Sequence, residues 1–383
     1  MIYLDNAATS FPKPPRVVAA VAHFCNAIGA NPGRAAYSLA QQADSAIARS
    51  RRMLAGMLGR VDPSRLILTP STTVALNLAF KGLLKAGDHV LTTSMEHNST
   101  MRPLHRLNKL GVTHTQVPCN AHGQLNPSDI LPRIRPNTRL IALVHASNVT
   151  GGIMPVSEVG RIARESGILV LVDAAQTMGT IPVNPTDLHV DLVAGPGHKG
   201  LLGPMGTGFL YVRPGIELES LWEGGTGTHS ESIYQPETWP ERFESGTCNA
   251  PGLAALAEGI AEIQDRGLEV IAAQERALIE LLYQELDRLP EITIYGPADR
   301  HQCTPTLSFN VQGLDCSEVA HILDTVYGVA VRSGLHCAPT AHRTIGTFPH
   351  GTVRVSVGPY NTEEEIQTVI RAVTEIVRFR REC

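Results

Sequence analysis

The chain is expected to fold as an α/β protein, with a large domain built on a mostly parallel β-sheet and a smaller α+β domain after it. Three observations lead there. From about residue 65, short β-branched runs alternate with amphipathic stretches, the repeat that builds a parallel sheet covered on both faces. The runs LIALVHA and ILVLVDAA are apolar almost throughout, as strands buried on both sides must be. After GTGFLYVRP the rhythm changes to a Gly-, Glu-, Ser- and Thr-rich stretch, and short strands and helices follow it. The expected division is a large domain over residues 16–250 and a small one made of 1–15 and 251–383.

In chain order, the strands are RLILTP, HVLTTS, THTQVP, TRLIALVHAS and ILVLVDAA. Between them lie helices such as TVALNLAFKGLLKAG and SEVGRIARESG. Residues 214–250 read as a long loop, and one long helix runs from NAPGL to about residue 288. The tail then gives TPTLSFNV, SEVAHILDTVYG, a strand at GVAVRS, TVRVSVG and a last helix from NTEEEIQTVI. SEVA and NTEEE each offer a helix cap followed by acidic residues in the first turn.

Composition narrows the function classes. A formal net charge of -4, with basic residues scattered, gives no reason to expect nucleic acid or an anionic membrane as partner. No stretch approaches the roughly 18 apolar residues of a membrane span, and MIYLDNAATS lacks the pattern of a signal peptide. A cytoplasmic location is therefore expected. The seven cysteines are widely spaced, with no C-x-x-C pair, which suits reduced thiols better than a zinc knuckle.

In doubly wound sheets ligands sit beyond the carboxyl ends of the strands, so the chemistry is sought there. RLILTP ends in Ser71, Thr72 and Thr73 before a helix, a phosphate cradle or simply a helix cap. HVLTTS leads to His97, LIALVHAS to Asn148, and ILVLVDAA to Asp173 and Gln176. An Asp closing an apolar strand needs a cationic partner, which a protonated ligand nitrogen would supply. In AGPGHKGLLGPMGTG, Lys199 is fenced by Gly195, Gly197, Gly200 and Gly203, without the order of a P-loop. Such glycines suit a lysine that forms a Schiff base where backbone approaches a bulky ligand. Hydroxyls for a phosphate, a carboxylate for a pyridine nitrogen and a lysine for an aldehyde together describe pyridoxal 5'-phosphate.

The chain resembles a class V, fold-type I pyridoxal phosphate enzyme, and within that group a cysteine desulfurase of the Suf type. The likeness runs through YLDNAAT, NPGR, STTVALNL, MEHN, HASNVTGG, VDAAQ, GHKGLLGPMGTGFLY, FESGT, RSGLHCAP and VRVSVGPYNTEEEI. It implies a seven-stranded sheet in the large domain. Lys199 would hold the cofactor aldehyde and move the substrate α-proton. Asp173 would pair with the ring nitrogen, Gln176 with the ring oxygen, and His97 would stack on the ring. Asn148 would contact the ring side or the substrate, and Thr72, Thr73 and His198 the phosphate. Thr247 would reach the cofactor of a neighbouring subunit, which implies a homodimer. Arg354 would grip the substrate carboxylate. One departure is Pro196, where the family has Ser or Thr, because proline offers a phosphate neither hydroxyl nor N–H.

By the same likeness Cys337 is the nucleophile, taking sulfur from L-cysteine as a persulfide and leaving L-alanine. Its thiolate needs a nearby cation or base, and His97 and His336 are the candidates. The segment APTAHRTIGTFPHG, with two prolines and no Gly/Ser run, suits a restrained thiol that passes sulfur fastest to a dedicated acceptor protein. The acceptor and its pathway, iron–sulfur assembly or tRNA thiolation among them, stay open. So do a selenocysteine lyase, with L-selenocysteine as substrate, and a C–S lyase or aminotransferase that does not use Cys337. A sulfur carrier without activity and a zinc hydrolase on His336, Cys337, His342 and His350 are the readings from other classes, and the spacing fits no zinc pattern.

Overall fold

The computed structural model describes residues 1–33, 37–228 and 230–382. Arg34 of the NPGR stretch and Cys383 lie outside them. The central sheet has seven strands in the order β2-β8-β7-β6-β5-β3-β4. They are β2 (Leu66–Thr69), β3 (His89–Thr93), β4 (Thr113–Val117), β5 (Thr138–Val144), β6 (Leu169–Asp173), β7 (Leu192–Pro196) and β8 (Gly208–Val212). β8 runs antiparallel to both of its neighbours, and the other pairings are parallel. Alternate side chains leave on opposite faces, as the pleat requires. Ile141, Leu143, Val170 and Val172 enter one apolar core, and Leu140, Ala142 and Leu171 enter another. Val144 lies opposite Asp173, and Asp173 opposite Ala194, so the carboxyl ends of β5, β6 and β7 reach one edge together.

A third core lies around a four-stranded antiparallel sheet, β12-β13-β10-β9. These strands are β9 (Ile292–Tyr295), β10 (Thr306–Val311), β12 (Arg332–Gly334) and β13 (Thr352–Ser356). Phe309 and Val355 meet Val319 of α8 (Cys316–Tyr327) and Val373 of α10 (Glu363–Glu382) there, with Leu4 joining from the start of the chain. β1 (Ile2–Tyr3) pairs in parallel with β11 (Val329–Ala330).

Two expectations are corrected. The long helix after residue 249 is two helices, α6 (Ala250–Arg266) and α7 (Leu268–Asp287). Gly267 separates them at φ +86°, a left-handed backbone that ends α6 with its N–H on the Ile263 carbonyl. The cap of α8 is Asp315, two residues before Ser317, its carboxylate accepting from the Ser317 N–H. The last helix does open on a capping box, Thr362 and Glu365 each accepting from the other's backbone N–H. Over 214–249 the only helical turn among the described residues is Glu241–Phe243. No described helix is long and apolar enough to cross a membrane.

Candidate active site

The strand ends deliver their side chains to one place. After β2, Ser71 is the cap of α3 (Thr72–Leu83), accepting from the Val74 N–H. Capping therefore explains Ser71 and leaves its neighbours over. Thr72 Oγ1 is buried without a partner, and Thr73 Oγ1 lies 2.8 Å from Ser99 Oγ. After β3, His97 caps α4 (Asn98–Asn108) with its ring, Nδ1 accepting from the Ser99 N–H at 3.0 Å. A backbone N–H can only donate, so the neutral ring carries its proton on Nε2. Burial, helped by Lys199 and Arg102, pulls the His97 pKa down to about 4.

After β5, Asn148 Nδ2 donates to the His336 carbonyl at 2.7 Å, while the Asn148 carbonyl accepts from Arg354 Nη1 at 3.0 Å. At the end of β6, Asp173 accepts from the Ala175 N–H. Burial raises its pKa, against the lowering effects of that N–H and of Lys199. Gln176 Nε2 is turned to the Ala7 carbonyl, 3.1 Å away. After β7 come His198, pulled down to about 4 chiefly by burial, and Lys199, which is reachable from the cavity yet ringed by protein. Burial lowers the Lys199 pKa to about 8, with Asp173 opposing. Lys13 Nζ and Thr9 Oγ1 both donate to the His198 carbonyl and pin the turn before Lys199.

The facing wall is built differently. His336 and Cys337 stand at φ +47° and +57°, left-handed conformations that side chains with a Cβ adopt at a cost of roughly 1 kcal/mol or more each. Their surroundings impose the turn. Asn148 takes the His336 carbonyl, the Asn98 N–H donates to the Cys337 carbonyl at 2.8 Å, and His336 Nε2 meets the Thr352 carbonyl at 3.1 Å. Cys337 is exposed between two buried residues, His336 and Ala338, which excludes a role as core filler. Arg354, 2% exposed on β13, bonds Asp5 Oδ1 through Nη2 at 2.6 Å and leaves Nε unpartnered. Arg332 reaches the other oxygen of Asp5 at 3.7 Å.

Both walls enclose one cavity of roughly 250 Å³, and every expected site residue except Thr247 lines it. Thr247 is exposed, on a separate cleft beside Gly225–Thr228. Five polar atoms on the cavity wall have no protein partner: Thr72 Oγ1, Asn148 Oδ1, His198 Nδ1, His336 Nδ1 and Arg354 Nε. Buried polar atoms are normally satisfied, so this wall is made for a polar ligand. Cationic, hydroxyl and helix-end donors suit a phosphate and a carboxylate, and the buried Asp173 suits a protonated ring nitrogen. The residues fit pyridoxal 5'-phosphate. Pro196 also faces the cavity and gives it no donor.

Three points differ from the sequence reading. The glycines around Lys199 make room for the protein itself. A Cβ on Gly195 would meet the Phe209 ring at 2.8 Å, one on Gly203 Leu256 at 2.7 Å, and one on Gly197 would strike Thr207 Oγ1. As cations neither His97 nor His336 serves, since burial takes them to about 4 and about 2, while the base role stays open to His336, whose Nδ1 has no partner. The cations on the cavity wall besides Lys199 are Arg332 and Arg354. Arg332, Asp5 and Ser99 were missed. The charge of Asp5 in YLDNAAT and the arginine five residues before Cys337 were the signals. Among the described residues no cluster of His, Cys, Asp or Glu is placed to hold a metal ion, so the grouping considered for zinc does not form.

A profile of the aminotransferase class-V family matches residues 2–369. A Methanothermobacter thermautotrophicus protein named "Probable cysteine desulfurase" is 38% identical, over 98% of this chain and 94% of its own. A Salmonella agona cysteine desulfurase is 32% identical, over 99% and 94%. The apo structure of the Thermococcus onnurineus NA1 cysteine desulfurase superposes with a TM-score of 0.93 at 38% identity, covering 98% of this chain and 94% of that one. The Escherichia coli cysteine desulfurase CsdA does so with a TM-score of 0.89 at 28% identity, over 98% and 94%. Family, fold and the chemistry of the cavity agree, and the chain belongs to the aminotransferase class-V family of pyridoxal 5'-phosphate-dependent enzymes.

Proposed function

We propose that the protein is a cysteine desulfurase whose sulfur-accepting group is Cys337. The observation that carries the reading is the exposed Cys337 thiol on the wall of the same cavity as the enclosed Lys199 and Asp173. The bound cofactor supplies an aldehyde for an amine and a sink for electrons released at the substrate α-carbon.

The chain's residues do the rest. Thr72, Thr73 and His198, with the free N–H groups that open α3, hold the phosphate. Asp173 would keep a proton on the ring nitrogen, Gln176 would give the second N–H of its amide to the ring oxygen, and His97 would cover the ring in its neutral, Nε2-protonated form. Arg354, steadied by Asp5 and the Asn148 carbonyl, offers its free Nε–H to the substrate carboxylate. Lys199 Nζ, its proton affinity reduced by burial, takes the α-proton. Cys337 Sγ, which shares the cavity wall with Arg332 and Arg354, attacks the substrate sulfur once its thiol proton has left. An S–S bond forms as the Cβ–S bond breaks. The electron pair stays with Cβ, which takes a proton, Lys199 Nζ returns a proton to the α-carbon, and L-alanine leaves.

The same reading makes the protein a cytoplasmic homodimer in which Thr247 reaches the neighbour's phosphate. Its exposed position beside Gly225–Thr228 supports that. It also divides the chain into domains over 16–250 and over 1–15 with 251–383, the second carrying Cys337. The left-handed, backbone-anchored turn at Cys337 supports a thiol that cannot travel and that gives sulfur fastest to an acceptor protein docking over it. The test is alanine and sulfide release from L-cysteine by the cofactor-loaded protein, beside Cys337→Ala. The expected variant keeps the cofactor's colour and loses desulfuration. Equal turnover would sink Cys337 as the acceptor. L-selenocysteine in the same assay discriminates a lyase for that substrate.

A further inference from the structure

Helix α7 buries a stripe of Ile271, Leu278, Ile279, Leu282 and Leu286, and Glu275 falls in the same stripe. A carboxyl in a core position is costly unless it is hydrogen-bonded or paired. Glu275 is 5% exposed, and its Oε2 has no hydrogen-bond partner. The one charge that lowers its pKa is Arg266, whose guanidinium donates to the Pro359 carbonyl.

What Glu275 does face is a second, smaller cavity of roughly 30 Å³. Ala7, Ala175, Gln176 and Lys199 line both this cavity and the substrate cavity, so Lys199 stands in a wall common to the two. Glu275 and Lys199 are the only titratable side chains around it among the described residues. The remainder of the wall includes Asn6, Ser10, Thr180, Thr306 and Ser356. A polar cavity of this size has room for a water or two, and water needs the two to four polar partners that such a wall provides.

We propose that Glu275 is the proton partner of Lys199, exchanging a proton with its nitrogen through water in this second cavity. The inference rests on reading Lys199 as the amine that binds the cofactor and moves the substrate proton. The exchange moves one proton and breaks no heavy-atom bond. The neutral carboxyl gives its proton to a water, the water gives one to the lysine nitrogen, and carboxylate and ammonium result; the reverse restores both. Burial brings the two groups together in proton affinity, raising Glu275 to about 8 and lowering Lys199 to about 8. Arg266 acts on Glu275 besides, and Asp173, Arg354, Arg332 and Asp5 act on Lys199. Glu275 touches neither substrate nor cofactor, so it is a positioning residue for the proton.

The test is a pH titration of the visible absorbance of the cofactor-loaded protein, wild type against Glu275→Gln. Glutamine keeps the shape and cannot ionise. Above about pH 8 the wild-type carboxylate holds a proton on the Lys199 nitrogen, so the variant's midpoint is expected lower by about half a unit or more. Glu275→Asp should bring it back toward wild type. Coincident midpoints in wild type and Glu275→Gln, with absorbance intact, would overturn the pairing. Should Glu275→Gln not fold, infrared difference spectra of the wild type between about pH 6 and about pH 10 decide. A protonated carboxyl band that disappears with the absorbance midpoint supports the pair, and no such band at either pH overturns it. If Lys199→Ala titrates like the wild type, Lys199 itself has been misread. That outcome differs from a Lys199-dependent titration that ignores Glu275.

Discussion

On the sheet side of the cavity, Asp173 ends a strand and Thr72, His97, Asn148 and Lys199 each follow a strand of the same sheet, and their backbones are ordinary. On the facing side, Cys337 and His336 sit in two successive left-handed residues, and Arg354 is fixed by a carboxylate from the start of the chain. The first wall inherits its accuracy from the parallel sheet. The second has to be forced into place by contacts made elsewhere. The contrast teaches a division of labour: a cofactor needs a rigid seat, whereas a thiol that attacks and then hands on sulfur needs exposure with its backbone pinned.

Substitutions on the two walls should therefore fail in different ways. The largest effect is expected for Lys199→Ala, which removes both cofactor attachment and turnover, a loss of roughly a thousandfold or more measured as alanine formed. Cys337→Ser should lose desulfuration to a similar degree while its cofactor absorbance is unchanged. If both variants lose the colour, the separation between the walls is false. Asp173→Asn should bind the cofactor and turn over about a hundredfold more slowly, since the ring nitrogen loses its charge partner. Arg354→Lys should raise KM for cysteine about tenfold with a smaller change in kcat, because lysine cannot reproduce the fork that also spans Asp5 and the Asn148 carbonyl. A kcat loss with KM unchanged would move Arg354 out of substrate binding.

The smallest effect concerns acid stability. His97 and His198 on one wall and His336 on the other have pKa values depressed below the unfolded value of about 6.5. The unfolded chain then binds more protons below that pH, so their contribution is complete above about pH 6.5 and is lost as pH falls toward about 4. Urea midpoints at about pH 7 and about pH 3, below the folded pKa of His97 and above that of His336, should show the decline. His336→Asn, which removes the most depressed of the three, should flatten it more than His97→Asn does. The reverse order would mean that the facing wall is the better solvated of the two.

The sheet wall was legible in the sequence because strand–helix alternation fixes where strands end, and a residue at a strand end must face the ligand edge. Asp173 closing an apolar run and Lys199 after β7 needed nothing more. The other wall was not legible in that way. A left-handed φ at His336 and Cys337 is set by what the surrounding backbone bonds, and neither residue type announces it. Asp5 meets Arg354 across 349 positions, and no local pattern encodes such a pair. The glycines near Lys199 pointed to a lysine that does line the cavity, but for the wrong reason, since they relieve crowding within the protein. Glu275 carried a signal that went unread: its place in the apolar stripe of α7 marks it as buried.

The stitch between residues 2–6 and residues 328–356 also governs when the protein becomes an enzyme. Ile2 pairs with Val329, Asp5 with Arg354, and the Asn6 amide donates to the Ser356 carbonyl. On the ribosome the segment through α6, whose Leu253, Leu256 and Ile260 complete the core beside the sheet, can fold and seat its lysine while the rest is still being made. The first residues must wait, unpartnered, until more than three hundred others have been added. The entropy of closing so long a loop rises only slowly with its length, by about 0.6 kcal/mol per doubling, so the delay is set by synthesis time and search. A nascent chain thus passes through a stage with its lysine seat built and no aligned thiol, and sulfur chemistry begins only when the earliest residues meet nearly the latest.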